Sequence, residues 1–136
     1  LDLDTEGLLL LTNDGDFAHK LLAPSRHHSK LYSACVEGIM DENDILKFKE
    51  GITIDHYRCQ SSNLSIIKTE DNTSEVLIEI FEGKFHQVKK MVESVGKKVT
   101  YLKRLQMKNL KLDTSLQIGK FRELSEDELV DLMNDL

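Results

Sequence analysis

Two hydrophobic periods alternate along this chain, and the switches between them mark its elements. Leu8 to Leu11 is a short unbroken apolar run closed by Asn13-Asp14-Gly15, the pattern of a fully buried strand ending in a tight turn. Phe17, Leu21 and Leu22 then fall at helical spacing, which predicts a helix over 16–22 stopped by Pro24. Ser25 to Ser29 is a polar loop holding Arg26, His27 and His28. Lys30 to Val36 alternates and is rich in Tyr, Cys and Val, as a strand is. After Gly38, Asp41 to Glu50 reads as a short helix. Asp41 or Asn43 can cap it, Ile45, Leu46 and Phe48 form its apolar side, and Gly51 ends it.

Two strands follow, over 59–68 and 75–81, separated by a polar turn from Glu70 to Ser74. The second puts Val76, Ile78 and Ile80 on one face and Glu75, Leu77, Glu79 and Phe81 on the other, so the pair is an antiparallel meander. Gly83 breaks it. Phe85 to Val95 is then a helix with Val88, Met91, Val92 and Val95 at i, i+3, i+4 and i+7, closed by Gly96. Val99 to Met107 returns as a strand. Ser125-Glu126-Asp127-Glu128 is a capping box opening a last helix with Leu129, Leu132 and Met133, expected to cover a sheet face.

With 136 residues, 40% of them apolar and 31% charged, the chain is globular and of a size for one domain with a real core. Cys35 and Cys59 are far apart and outside any Cys-x-x-Cys pattern, so they are expected as reduced thiols of a cytoplasmic protein. No stretch approaches transmembrane length. The net charge of -6 is unevenly spread. Lys84, Lys89, Lys90, Lys97, Lys98, Lys103, Arg104, Lys108 and Lys111 face only Glu93, giving that segment +8 and leaving -14 for the rest. Charge alone fits a phosphate-binding face and a solvated face equally. His27 and His28 have no carboxylate or cysteine at a zinc-ligand spacing and are taken as loop residues, not a metal site.

Asp2 and Asp4 stand just ahead of the Leu8–Leu11 run, where a rigid strand could hold a reactive carboxylate still. On local pattern alone the solvated-acid reading is the one favoured. The stretch LDLDTEGLLLLTNDGDF resembles the catalytic motif of the RsuA-type ribosomal RNA pseudouridine synthases, Arg-Leu-Asp-x-x-Thr-x-Gly-Leu followed by Leu-Leu-Thr-Asn-Asp-Gly. That alignment makes Asp2, not Asp4, the nucleophile, and the Arg of the pattern precedes residue 1. Lys30-Leu31-Tyr32 resembles the family's Lys-x-Tyr, whose Tyr stacks on the target base. An aromatic face suits an extruded pyrimidine because stacking replaces what the base leaves behind.

EGKFHQVKKM resembles the family's third motif, Glu-Gly-(Arg/Lys)-x-His-Gln-Val-(Arg/Lys)-(Arg/Lys)-Met. Its basic residue after His-Gln-Val pairs with the catalytic Asp, and here that is Lys89. A nearby cation keeps a nucleophilic carboxylate ionised against desolvation. Gly51 to Asp55 and Leu116 to Leu124 resemble two structural segments of the family. The spelling Lys-Phe-His-Gln-Val-Lys is nearer the members acting on small-subunit 16S rRNA than those acting on 23S rRNA.

The resemblance implies an α+β pseudouridine synthase catalytic fold, a mainly antiparallel mixed sheet flanked by helices, truncated at its N-terminus. Residues 1–136 would be one catalytic domain, with an S4-type RNA-binding domain and a first catalytic strand lying outside this chain. It implies isomerisation of a uridine in 16S rRNA or a pre-ribosomal particle by a monomer that needs no cofactor, no metal and no membrane. Asp2, Lys89 and Tyr32 would be catalytic. His86, Gln87, Lys84, Lys90, Lys103 and Arg104 would meet RNA. The alternatives are a non-catalytic rRNA-binding or ribosome-assembly module, a 23S rRNA enzyme of the same family, and an acidic protein-interaction domain.

Overall fold

In the computed structural model, residues 1–23, 28–84, 86–134 and 136 are described. In chain order they form β1 (Glu6–Gly7), α1 (Gly15–Leu22), β2 (Lys30–Glu37), α2 (Glu42–Glu50), β3 (Thr53–Ile54) and β4 (Tyr57–Arg58). Then come β5 (Asn63–Glu70), β6 (Thr73–Ile80), α3 (Gln87–Ser94), β7 (Lys98–Met107), β8 (Leu110–Lys111) and α4 (Glu126–Met133). The expected stop at Pro24, the loop residues Ser25, Arg26 and His27, and the expected helix start at Phe85 lie outside the described residues.

β2 pairs along its length with β6 on one side and β7 on the other, both antiparallel. The six-stranded sheet runs β1-β7-β2-β6-β5, with β8 folding back on β7 and β1 joining the edge in parallel. The class is α+β with a mixed, mainly antiparallel sheet. One face carries Ala34, Val36, Val76, Ile78, Ile80 and Leu102, packed against Phe48 of α2 and Val88, Met91 and Val92 of α3. The 3.6-residue spacing in α3 thus lands on the core, as its pattern predicts. α2 is held at its start by a capping box between Asp41 and Asp44, so Asp41 is the cap.

Three sequence expectations are corrected. Leu8 to Leu11 is not a buried strand: the ladder ends at Gly7, and Leu8 N–H donates to the Arg104 carbonyl at 2.8 Å. Leu8 and Leu10 pack on a second, smaller core of Phe17, Leu21, Met107, Leu110 and Leu132, while Leu9 and Leu11 are 56% and 75% exposed. An apolar run is buried throughout only when both of its faces are covered, and this one sits at the sheet's edge. The expected strand over 59–68 starts later, at Asn63, because Cys59 and Ser62 donate instead to the carbonyls of Ile52 and Phe48. Those bonds sit beside a β3–β4 hairpin that the pattern did not announce, turning through Asp55 and His56 at φ 47° and 65°. In α4 only Leu132 is buried; Leu129 and Met133 are each 49% exposed, so the expected cover of a sheet face is confined to Met107 of β7 and Leu110 of β8, within the smaller core. No described helix is long and apolar enough to cross a membrane.

Candidate active site

The core-bearing sheet face continues past α3 into an open cleft of about 410 Å³. Its floor is built by register. Tyr32 lies directly across from Arg104, Lys30 from Ile80, and Ala34 from Leu102. Residues two apart share a face, so Lys30 and Tyr32 both rise into the cleft with Ile80, Leu102 and Arg104. β7 is irregular at Leu105 where it passes Leu31 and Tyr32, the kind of kink that re-aims side chains beside a site.

The front of the chain forms the cleft's rim. Gly7 pairs with Arg104 at a distance that excludes a side chain. Arg104 then holds this segment twice: its carbonyl accepts from Leu8 N–H and its Nε donates to the Leu8 carbonyl at 2.8 Å. Ahead of this anchor a tight turn, closed by Thr5 N–H donating to the Asp2 carbonyl at 3.0 Å, swings Asp2 over the start of α3. There the Asp2 carboxylate meets Lys89 Nζ at 3.4 Å and His86 Nε2 at 3.5 Å. Asp4, on the outer side of the turn, binds the same Lys89 ammonium. The two acids differ in setting: the Asp2 side chain is 27% exposed and lines the cleft, whereas Asp4 is 76% exposed and does not.

The electrostatics follow from these contacts. Lys89 is held above the usual lysine range, first by its hydrogen bond to Asp4 and then by Asp2. The same bond holds Asp4 below the usual carboxylate range. Lys89 therefore remains a cation between two carboxylates. Lys30 is pushed the other way, by burial and then by the charge of Arg104, with Glu82 partly opposing. Thr5 Oγ1, also on the cleft, is buried without a hydrogen-bond partner among the described residues. Such a hydroxyl is costly unless something entering the cleft meets it.

Behind the rim, Glu82 sets the position at which α3 begins. Its Oε1 accepts from the Tyr57 hydroxyl, and its Oε2 accepts from Gln60 N–H at 2.6 Å and Gln87 Nε2 at 3.2 Å. Gln87 Oε1 in turn accepts from Lys84 N–H at 3.0 Å. This network bridges the β3–β4 hairpin to the β6–α3 loop. It leaves His86 in the left-handed region, φ 52°, facing Asp2. The bond to Glu82 raises the Tyr57 hydroxyl to about 12, and burial with the same carboxylate raises the Cys59 thiol to about 11.

Of the residues singled out from the sequence, Asp2, Tyr32, Lys84, His86, Gln87, Lys89 and Arg104 all line this cleft. Gln87 is 3% exposed with its amide engaged by Glu82 and Lys84, and Arg104 is 7% exposed. Lys84 also lies over the Tyr57 ring, 4.6 Å from its centroid. Lys90 and Lys103 are not in the cleft lining. Lys90 pairs with Asp55 beside a separate hollow, and Lys103, one residue before Arg104, belongs to the opposite sheet face. Sequence reading missed Thr5, Glu82 and the second hold of Asp4 on Lys89, and it passed over Lys30. Three of them left a signal that could have been used: Thr5 and Glu82 stand inside the two quoted motifs, and Lys30 lies two residues from Tyr32.

The comparisons with known proteins agree with this geometry. Residues 1–94 match the family described as RNA pseudouridylate synthase. The chain is 42% identical over 130 residues to YtzG of Bacillus subtilis, an RNA pseudouridine synthase not itself characterised, covering 95% of this chain and 54% of that protein. It is 32% identical over 133 residues to ribosomal small subunit pseudouridine synthase A of Escherichia coli, covering 98% and 57%. A crystal structure of a pseudouridylate synthase superposes with a TM-score of 0.89 at 35% identity, covering 97% of this chain and 56% of the other. The chain spans about half the length of the relatives it matches. Motifs at the front, middle and α3 that converge on one cleft, in a fold shared with a solved synthase, place the chain in the RNA pseudouridylate synthase family.

Proposed function

We propose that the protein containing this chain isomerises a uridine of ribosomal RNA to pseudouridine, with 16S rRNA or its pre-ribosomal particle as substrate. The observation that carries this reading is the Asp2–Lys89 pair, 3.4 Å apart, in a cleft whose floor holds Tyr32. The reaction breaks the N1–C1′ bond, turns the uracil, forms C5–C1′, and exchanges the C5 proton for one on N1. No electrons are gained or lost. A carboxylate serves by attacking covalently or by taking a proton from the sugar, and either route needs it ionised beside a cation.

In this reading Asp2 is the reacting carboxylate, Lys89 orients it and sets a positive charge beside it, and the target base lies on Tyr32 after leaving its stack. His86 is a second contact to Asp2. Lys84 lines the cleft that RNA would enter, Arg104 stands on its floor, Gln87 fixes the start of α3 through Glu82, and Lys90 would meet phosphate further out, while Lys103 stands on the opposite sheet face. The likeness to ribosomal small subunit pseudouridine synthase A supports the choice of 16S rRNA. In the whole protein an S4-type domain would share RNA binding, and the enzyme would act as a cytoplasmic monomer.

The test is tritium release from 5-tritiated uridine in 16S rRNA by the full-length protein. Release by the native enzyme and none by Asp2→Asn is expected. Release that survives Asp2→Asn ends the assignment of the nucleophile. No release by the native protein, on 16S or 23S rRNA, leaves an RNA-binding assembly module as the function.

A further inference from the structure

Lys30 and Arg104 stand together on the floor of the cleft, and among the described residues neither is within ion-pair distance of a carboxylate. Lys30 makes no side-chain hydrogen bond there either; its Nζ reaches across to Gly83, where an added Cβ would lie 3.6 Å away. Glu82 is the acid that acts on Lys30, and its two oxygens already accept from Tyr57, Gln60 and Gln87. The like charges of the half-buried Lys30 and the buried Arg104 repel each other, and burial and Arg104 together push Lys30 below the usual lysine range. Such an arrangement becomes favourable when a full negative charge enters. A uracil carbonyl, being neutral, does not offset that repulsion. A backbone phosphodiester does, and every nucleotide brings one.

The register adds the spacing. Tyr32 lies across from Arg104 and two residues from Lys30 on the same face, so a base on the tyrosine has its own backbone beside both cations. The unpartnered Thr5 hydroxyl supplies a further donor on the cleft wall. We infer that Lys30 and Arg104 form a phosphodiester subsite that grips the backbone phosphate adjoining the target uridine while its base lies on Tyr32. This rests on the pseudouridine synthase reading and extends it: the site recognises the flipped nucleotide at two points, one aromatic and one anionic.

The experiment uses the full-length protein and RNAs in which the phosphate 5′ or 3′ of the modified uridine is replaced by an uncharged methylphosphonate. The native protein is expected to bind one of the two about tenfold or more weakly, the scale of a lost charge-assisted hydrogen bond. Lys30→Met should show the same loss on unmodified RNA, no further loss on that methylphosphonate, and a salt slope of log Kd shallower by about 0.7. Lys30→Arg should recover most of the affinity. Equal native binding to both methylphosphonates and to unmodified RNA, or losses that simply add in Lys30→Met, overturns the subsite, and the native arm needs no variant to fold. Tritium release is read in parallel. Its absence removes the synthase reading and this inference with it, whereas release together with indifference to both methylphosphonates removes the subsite alone.

Discussion

A Cβ on Gly7 would lie 2.2 Å from the Arg104 carbonyl oxygen, so the front segment docks on β7 only because residue 7 has no side chain. Its φ of 115° is also one that residues with a Cβ rarely adopt. The carboxylate of Asp2 hangs from this contact, five residues earlier, with only a turn between. Gly7→Ala is therefore expected to cost about 1–3 kcal/mol for the strained backbone and crowding, and to move Asp2 off Lys89. Urea unfolding should show an earlier midpoint at unchanged slope, and activity should fall further than the lost stability explains. An alanine variant with native turnover would mean that Asp2 is positioned by something other than this docking.

Lys89 serves two acids, and they are expected to separate on mutation. Asp4 is exposed and outside the cleft, so Asp4→Asn should leave tritium release within a few-fold of native. Lys89→Met leaves Asp2 and Asp4 facing each other without their cation, and a loss of about 10²-fold or more in kcat is expected, as for other groups that stabilise charge in a site. Lys89→Arg keeps the charge with different geometry and should fall between the two. Parallel kcat measurements on the three variants decide it; an Asp4→Asn loss as deep as that of Lys89→Met would give Asp4 a catalytic part.

Glu82 gathers three donors on two oxygens: the Tyr57 hydroxyl, Gln60 N–H and the Gln87 amide. Removing it by Glu82→Ala should cost about 1–3 kcal/mol for each donor that stays buried. The loss should concentrate at the start of α3, where hydrogen exchange of the Gln87 and Val88 amides would accelerate before the sheet's. Protection that falls evenly across the molecule would instead make Glu82 a general core contributor.

Which residues would share one cleft was more legible in this chain than its architecture. The acids at the front, the Lys-x-Tyr and the His-Gln-Val-Lys lie in short contiguous motifs, and contiguity is what a sequence displays. β2, β7 and α3 were legible as well, because each is long enough for its period to repeat. What escaped depends on partners distant in sequence. Leu8 to Leu11 looks buried until its edge position is known, and the β3–β4 hairpin turns through Asp55 and His56, neither a glycine. Glu82 opens the third motif, but what it holds is invisible until the fold brings Tyr57, Gln60 and Gln87 to it. Lys30 shows its neighbour Arg104 only through the β2–β7 register.

Alkali should expose the Tyr57–Glu82 bond. The Tyr57 hydroxyl titrates near 10 in an unfolded chain and is pushed up to about 12 here, chiefly because it donates to Glu82. The folded protein therefore holds this proton more tightly than the unfolded one. The stabilisation is complete below pH 10 and is lost as pH rises from 10 through 12, since the unfolded chain gains by ionising while the folded one does not. Cys59, pushed up from 9 to about 11 mainly by burial, acts in the same direction one unit lower. Unfolding midpoints in urea should thus fall between pH 9 and 12. In Tyr57→Phe the decline above pH 10 should be shallower, and in Cys59→Ala the decline should begin later. Tyr57→Phe should also be less stable than native at neutral pH, because the buried Glu82 then has one donor fewer. A Tyr57→Phe protein that loses stability in alkali as steeply as native would show that the tyrosine proton is held no more tightly in the fold than outside it.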